Sequence, residues 1–362
     1  MNYYMLLVAL VLLSALLLRG NQPQNRKYVI FASLLLFAIY GLRNAYLIGV
    51  DTTTSYRGVF ARVTGYSWSG LINQYGGRNL FFYLMTKAFT AYVSSDYQLY
   101  ITLIAAFVSF CFGRLIYRYS PNPVQSILYH FGLLLFIFHF SALKQSIAMA
   151  ILMLAFDPLV KRKPLKFILL VMLAGQFHMP SLVFLPAYWL TKIQLGKKYL
   201  IAFGIALVLT YVFRSQLLTF MNSLYKEETE SADLTGVQFL RTKALIMIVI
   251  IVAAVCFRLP SMEDHVYGIL LQFMGFAVIL QTFCGYDNTF ERLADYYFQF
   301  AVVFIPMVFD RSAERKALFG WRFMQMVDTV APYMFCSFAI YRFLSYVSSS
   351  NFYSPFRFFF QS

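Results

Sequence analysis

Charge is the first thing this sequence lacks. Only 12% of its 362 residues are Asp, Glu, Lys or Arg, where a soluble domain carries about 25%. Acid is scarcest: 15 Asp and Glu stand against 30 Lys and Arg, a net charge of +15. A chain so poor in charge does not make an ordinary soluble globule. Cysteine is also sparse. Cys111, Cys256, Cys284 and Cys336 stand singly in apolar stretches with no C-x-x-C spacing, so neither a disulfide framework nor a zinc site is suggested. His130, His139, His178 and His265 make no H-x-x-x-H or H-E-x-x-H pattern. No metal and no cofactor is expected. No short-period repeat, low-complexity tract or linker divides the chain.

What is present is apolar. Hydrophobic residues make up 60% of the chain. A membrane span needs roughly 20 mostly apolar residues, and about ten such stretches occur. The expected fold is an all-α polytopic integral membrane protein of about 10–12 membrane helices, some broken or re-entrant, forming one transmembrane domain over residues 1–362. In a soluble protein the basic excess would suggest nucleic acid. Here cytoplasmic loops collect Lys and Arg under the positive-inside rule, so membrane lipids are the expected surroundings and nucleic acid is not an expected partner. Residues 1–18 are apolar with no basic residue in front. They read as a first span with its N-terminus outside, and not as a cleaved signal peptide.

Charge then orients the chain. Arg19, Arg26 and Lys27 are placed inside, and residues 28–48 cross outward. Arg114 with Arg118, Lys161–Arg162–Lys163 with Lys166, Lys192 with Lys197 and Lys198, and Arg311 with Arg315 and Lys316 also belong inside. Spans over 97–117, 123–140 and 145–160 follow. Residues 79–95 are short for a span and hold Lys87, so a re-entrant or interfacial element is expected. Residues 164–191 are basic at both ends and interrupted by Gly175, His178, Pro180 and Pro186. Two half-length helices meeting at His178–Met179–Pro180 resolve this, and broken helices at membrane depth line a cavity or lie buried in protein. Further spans cover 198–213, 241–257, 265–284, 290–309 and 321–347. Loops over 49–96 and 214–240, and a tail over 348–362 folded on the membrane surface through its aromatics, face outward.

This threading leaves a residue set that cytoplasmic loops do not explain. Arg43, Asp51, Arg57, Arg62, Arg78, Lys144, Glu291 and Arg292 lie near the outer face, with His178 deeper. Charge in or beside spans is costly and usually faces a cavity, a partner or a substrate. A basic set on that side suits an anion such as a diphosphate. Each residue also has an ordinary explanation. Arg43 and Lys144 could snorkel to the interface. Asp51 could cap the following segment, and His178 could satisfy a broken-helix carbonyl. Glu291 could answer a helix dipole, with Arg292 paired to Asp295. Arg57, Arg62 and Arg78 read mainly as surface residues.

The same residues carry a resemblance. SALKQSIAMAILMLAF and KRKPLKFILLVMLAGQFHMPSLVFLPAYWL, with Lys144, Gln145, Ala174, Phe177, His178 and Ser181, resemble the EpsG-like family of bacterial polysaccharide polymerases, a Wzy-type group. GLRNAYLIGVDTTTSY is similar to the family's Arg, Gly–x–Asp–Thr, Tyr pattern, through Arg43, Gly49, Asp51, Thr52 and Tyr56. FERLADYYFQF supplies Arg292, Tyr296 and Tyr297, and YSPFRFFF resembles the closing Pro–aromatic patch. Lys144 stands where the family usually has Arg, and Gly77–Arg78–Asn79 where it often carries Glu. The resemblance implies a GT-C-like membrane glycosyltransferase in the bacterial cytoplasmic membrane. It would join oligosaccharide units carried on polyprenyl (undecaprenyl) diphosphate into O-antigen, capsule or exopolysaccharide, and work beside a flippase and a chain-length regulator. The catalytic candidates are Asp51, His178 and Glu291, with Asp51 placed ahead of His178 as base. Arg43, Thr52, Tyr56, Lys144, Gln145, Arg292 and Tyr296 are the candidate contacts to diphosphate and sugar.

Other readings share these features. A flippase for lipid-linked oligosaccharides would also need a cationic cavity and broken helices. A membrane-bound O-acyltransferase would want a buried His, and His178 is available. A glycan ligase would share the lipid-diphosphate donor.

Overall fold

The computed structural model describes residues 3–18, 26–192, 197–213, 215–216, 219, 242–257, 265–281, 288–310 and 321–361. Most of the expected outer loop over 214–240 lies outside them. The described residues are helices and connecting loops, with one isolated antiparallel bridge between Arg43 and Phe358. Contacts divide the chain into two compact units, residues 1–182 with 326–362, and residues 183–325.

The first unit is built on α6 (Tyr97–Tyr119), which packs against α2 (Arg26–Gly41) and α9 (Leu143–Val160). Asp96 caps α6, accepting from the Gln98 N–H at 2.8 Å. At 1.5 Å per residue the 23 residues of α6 reach about 34 Å, enough for a hydrocarbon core of about 30 Å. Among the described residues, α6 and α9 are the two helices long and apolar enough to cross a membrane. Shorter apolar helices accompany them, including α1 (Tyr3–Leu18) and α10 (Pro164–Phe177). Their outer faces are strongly apolar: Leu16 is 82% exposed and Leu169 60% exposed. Soluble monomers rarely present such faces; lipid covers them without cost. The helices are consistent with a membrane protein.

Several expected spans are interrupted. The helix expected over 28–48 ends at Gly41. Residues 123–140 split into α7 (Pro123–Gly132) and α8 (Leu135–Phe138), joined through Leu134 at φ +61°. Arg342 donates to the Gly132 carbonyl and takes the acceptor that a continuing helix would use. Gly132 itself lies against Ala339, where a Cβ would collide. Residues 164–191 break where the prolines predict. α10 stops at Phe177, His178 is extended, and a 3₁₀ turn (Met179–Phe184) and a short helix, α11 (Ala187–Leu190), follow. Between α2 and α6 lie α3 (Arg57–Thr64), α4 (Trp68–Tyr75) and α5 (Leu80–Tyr92). With 13 residues, α5 spans about 20 Å and is too short to cross.

In the second unit, α12 (Lys197–Val212), α13 (Thr242–Phe257), α15 (Asn288–Phe298) and α11 pack on α14 (His265–Gln281), with α16 (Ala301–Val308) beside it. Phe184, Phe273, Tyr297 and Phe300 form an aromatic core there, and the Tyr297 hydroxyl donates to the Val183 carbonyl at 2.7 Å. The last helix is α17 (Trp321–Ser349), which belongs to the first unit from Met326 onward.

Candidate functional site

The site begins with the loop after α2. Arg43 is 0% exposed. Its Nη1 donates to the Tyr40 carbonyl, its Nη2 to the Phe140 carbonyl at 2.9 Å and its Nε to the Ile48 carbonyl at 3.3 Å. The guanidinium also lies over the rings of Tyr40 and Phe140, 4.9 and 4.7 Å from their centroids. It therefore stitches residues 40–48 to the turn before α9. Gly49 is held at φ +110°, and a Cβ there would strike the Phe140 carbonyl oxygen and the Thr52 hydroxyl. Only glycine fits both the conformation and the space. The Val50 N–H donates to Ser141 Oγ, and the buried Thr52 hydroxyl donates to the Phe140 carbonyl, both at 2.9 Å.

Asp51 opens a π-helical turn over Thr52–Tyr56. Such turns recur at functional sites. Its side chain makes no capping bond and is half-buried, so the helix-cap explanation does not account for it. From the α6 side, the Tyr97 hydroxyl donates to the Thr52 carbonyl at 2.7 Å.

The C-terminal tail closes over this loop. The Asn44 N–H donates to the Arg357 carbonyl, the Gly49 N–H to the Phe352 carbonyl and the Phe359 N–H to the Leu42 carbonyl, at 2.8, 3.1 and 3.0 Å. The Tyr353 hydroxyl meets Ser141 Oγ at 3.1 Å, and its carbonyl accepts from Tyr4 at 3.0 Å. Burial raises the Tyr353 phenol above its ordinary pKa, and the nearby Asp51 carboxylate adds to that rise. Of the tail's rings, Phe352, Phe359 and Phe360 are exposed. The backbone is committed to the Asp51 loop.

Lys144, in the first turn of α9, completes this end of the unit. Its ammonium donates to the Tyr83 hydroxyl at 2.7 Å and lies over the rings of Tyr83 and Phe82, 4.5 and 5.3 Å from their centroids. Its backbone N–H reaches the Tyr56 hydroxyl at 3.5 Å. Tyr56 closes the turn that Asp51 opens, so Asp51, Tyr56 and Lys144 come together although 93 positions separate the first from the last. Gln145 is buried beside them on α9. His178 joins through α5: Asn79, at φ 54°, accepts from the Met179 N–H at 2.8 Å, and Tyr83 stands one turn further along. The break at His178 and the Lys144 ammonium thus meet the same end of α5. The carbonyl of His178 accepts from Ser181, and its backbone N–H donates to Ala174, both at 2.9 Å.

A match to the EpsG family runs over residues 26–358. The chain belongs to the EpsG family. Membership places it among proteins of membranes and of polysaccharide biosynthesis. No curated protein and no solved structure shows significant similarity to it.

In this EpsG-family chain the expected site residues fall into three groups. Asp51, Tyr56, Lys144, Gln145 and the His178 break gather at one end of the first unit. Arg43 and Thr52 lie beneath them, fully buried, with each Arg43 nitrogen and the Thr52 hydroxyl bonded to backbone carbonyls. Their position differs from that expected of groups facing a diphosphate or a sugar: they build the loop. Arg292 and Tyr296 belong to the second unit, the first exposed and the second buried, and the Glu291 side chain lies outside the described residues.

Sequence reasoning missed Tyr83, Asn79, Ser141 and Tyr353. Gly76–Gly77 before Asn79 is a turn signal, and Tyr83 follows at helical spacing from it. Nothing in the sequence pairs Ser141 with Tyr353, 212 positions away.

Proposed function

We propose that this protein joins polyprenyl-diphosphate-linked oligosaccharide repeat units into a surface polysaccharide. It works at the outer face of the bacterial cytoplasmic membrane, as a multi-pass glycosyltransferase of GT-C-like architecture. The observation that carries this reading is the meeting of Asp51, Tyr56 and Lys144 at one end of the first unit of an EpsG-family chain. A carboxylate with no capping bond and an ammonium on a hydroxyl are the two charges that glycosyl transfer from a lipid diphosphate requires.

In the proposed reaction, Asp51 takes the proton of an acceptor sugar hydroxyl on a new repeat unit. The oxygen forms a bond to the anomeric carbon of the growing polymer. The bond from that carbon to the diphosphate oxygen breaks, and the lipid diphosphate leaves with the electron pair. Lys144 offsets the negative charge that develops there, held in place by the Tyr83 hydroxyl. Arg292, in the second unit, is the other basic residue proposed from the sequence to contact diphosphate. Basic side chains supply the positive charge, so the proposed reaction uses no metal. His178 is the candidate base behind Asp51, and Glu291, next to Arg292, is the weakest of the three. A flippase would deliver the units and a chain-length regulator would act on the product.

The test is genetic and then chemical. Deletion of the gene should collapse the surface glycan from a ladder to single repeat units on a gel. Asp51→Asn, at matched protein level, should leave the lipid-linked unit bound and form no polymer. A full ladder from Asp51→Asn with loss in His178→Gln would exchange the two roles. Full ladders from both variants would overturn the mechanism.

A further inference from the structure

The hairpin of α4 and α5 carries an arrangement that the proposed reaction does not use. Ser67 caps α4, accepting from the Gly70 N–H at 3.0 Å, and Lys87 of α5 donates to the Thr64 carbonyl at 3.0 Å, which ties the hairpin to α3. Two aromatic pairs bridge the helices. Tyr75 and Tyr83 stack at 3.7 Å with their planes 13° apart. Trp68 and Tyr92 stand parallel within 15°, their centroids 6.2 Å apart. Trp68 and Tyr75 are seven residues apart on α4, so the pairs are about 10 Å apart along the hairpin. At the outer pair, Trp68 is 40% and Tyr92 77% exposed, so ring faces remain open. Flanking Trp68 in the chain stand the exposed Ser67 and Ser69 hydroxyls, 3.2 Å from each other. The inner pair ends on Tyr83, whose hydroxyl holds the Lys144 ammonium.

We infer that this row of rings is a binding platform for the glycan attached to the diphosphate at Lys144, with pyranose rings stacked on Trp68 and Tyr92. This rests on the reading of Lys144 given above. Open aromatic faces beside short hydrogen-bonding side chains match a sugar, which offers C–H faces flanked by hydroxyls. The row's continuity with Lys144 through Tyr83 selects the occupant, because a glycan leaving the diphosphate meets Tyr75 and Tyr83 first and the outer pair next. Rings that only anchored the hairpin at a membrane interface would need neither that link nor the polar neighbours.

The probe is the strain's own polysaccharide, partially hydrolysed to oligosaccharides that carry neither lipid nor phosphate. It is titrated calorimetrically into the full-length protein in nanodiscs. Wild type and Asp51→Asn should bind it equally. Trp68→Ala/Tyr92→Ala should bind it at least about tenfold more weakly, and Trp68→Phe/Tyr92→Phe should keep most of the affinity. In cells the double Ala variant should make polymer of shorter modal length. Equal affinity in wild type and the double Ala variant, or no saturable binding in wild type, would overturn the platform. So would a Phe variant as weak as the Ala variant, because the faces are then not what binds. Polymerisation by Asp51→Asn would instead strike the proposed reaction and leave the binding result standing.

Discussion

Arg43 shows how a residue of the right type in the right motif can serve the scaffold instead of the substrate. Its three nitrogens bond three backbone carbonyls in a fully buried setting. Removing it leaves a cavity and exposed acceptors, at a cost of about 2–4 kcal/mol. Arg43→Ala should therefore lower the thermal unfolding temperature and the amount of protein in the membrane. Arg43→Lys should do nearly as badly, because one ammonium cannot replace a planar fork. A stable Arg43→Ala protein that has lost only substrate affinity would restore Arg43 to the diphosphate. Gly49→Ala forces a Cβ into the Phe140 carbonyl at a backbone conformation that L-residues avoid. It should cost about 1–3 kcal/mol and abolish polymer, read by thermal unfolding beside the glycan gel. Lys144 is the opposite case. Its ammonium meets a hydroxyl and two ring faces, and a charge-assisted contact from it to a diphosphate would be worth roughly 1.5–3 kcal/mol. Lys144→Ala should slow turnover by about ten- to a hundredfold while Lys144→Arg polymerises. Equal turnover in all three proteins would remove Lys144 from the reaction.

At the scale of elements, the tail is the least expected part. Three of its backbone groups bond residues 42–49 of the loop after α2, and Tyr353 adds a bond to Ser141 of the turn before α9. It thereby holds together the two segments that carry Asp51 and Lys144. A chain ending at Ser349 should keep α6 and α9 intact, because their packing does not use the tail, yet form little polymer. Tyr353→Phe deletes one hydroxyl and should cost only about 0.5–1.5 kcal/mol. Normal polymer from the truncated chain would show that the loop holds its shape unaided. The break at His178 belongs to this scale too. Pro180 lacks an N–H and cannot continue α10, so a 3₁₀ turn forms, and Asn79 of α5 takes the Met179 N–H that the break leaves over.

For the molecule as a whole, charge separates along α6 and α9. Tyr97 and Lys144 mark one end of these helices. At the other, Arg114, Arg118 and the Tyr119 hydroxyl converge on the Asp157 carboxylate. Under the positive-inside rule those arginines would mark a cytoplasmic end; the structure adds that one acid on α9 holds both. If this pole faces the cytoplasm, Lys163→Cys should resist an impermeant thiol reagent in intact cells, and Thr54→Cys in the outer loop should react in a chain whose native cysteines are replaced. Labelling of Lys163→Cys from outside would invert the orientation and move the proposed site to the wrong side of the membrane.

The sequence alone determined the all-helical class of this protein and the break at His178–Pro180. Too little charge and too many apolar runs point to lipid as the surroundings, and Pro180 marks the break after α10, although Pro158, Pro306 and Pro332 lie inside helices. It also marked Asp51, Lys144 and His178, because charge near a span is costly enough to be conspicuous. It could not tell a cation set on a hydroxyl and ring faces from one that bonds the backbone. Arg43 and Lys144 look alike in a one-dimensional reading, and their difference lies in which carbonyls and hydroxyls surround each nitrogen. Nor could it bring Tyr353 to Ser141, or Tyr83 to Lys144. Those pairings depend on where helices far apart in the chain pack, and only the tertiary structure decides that.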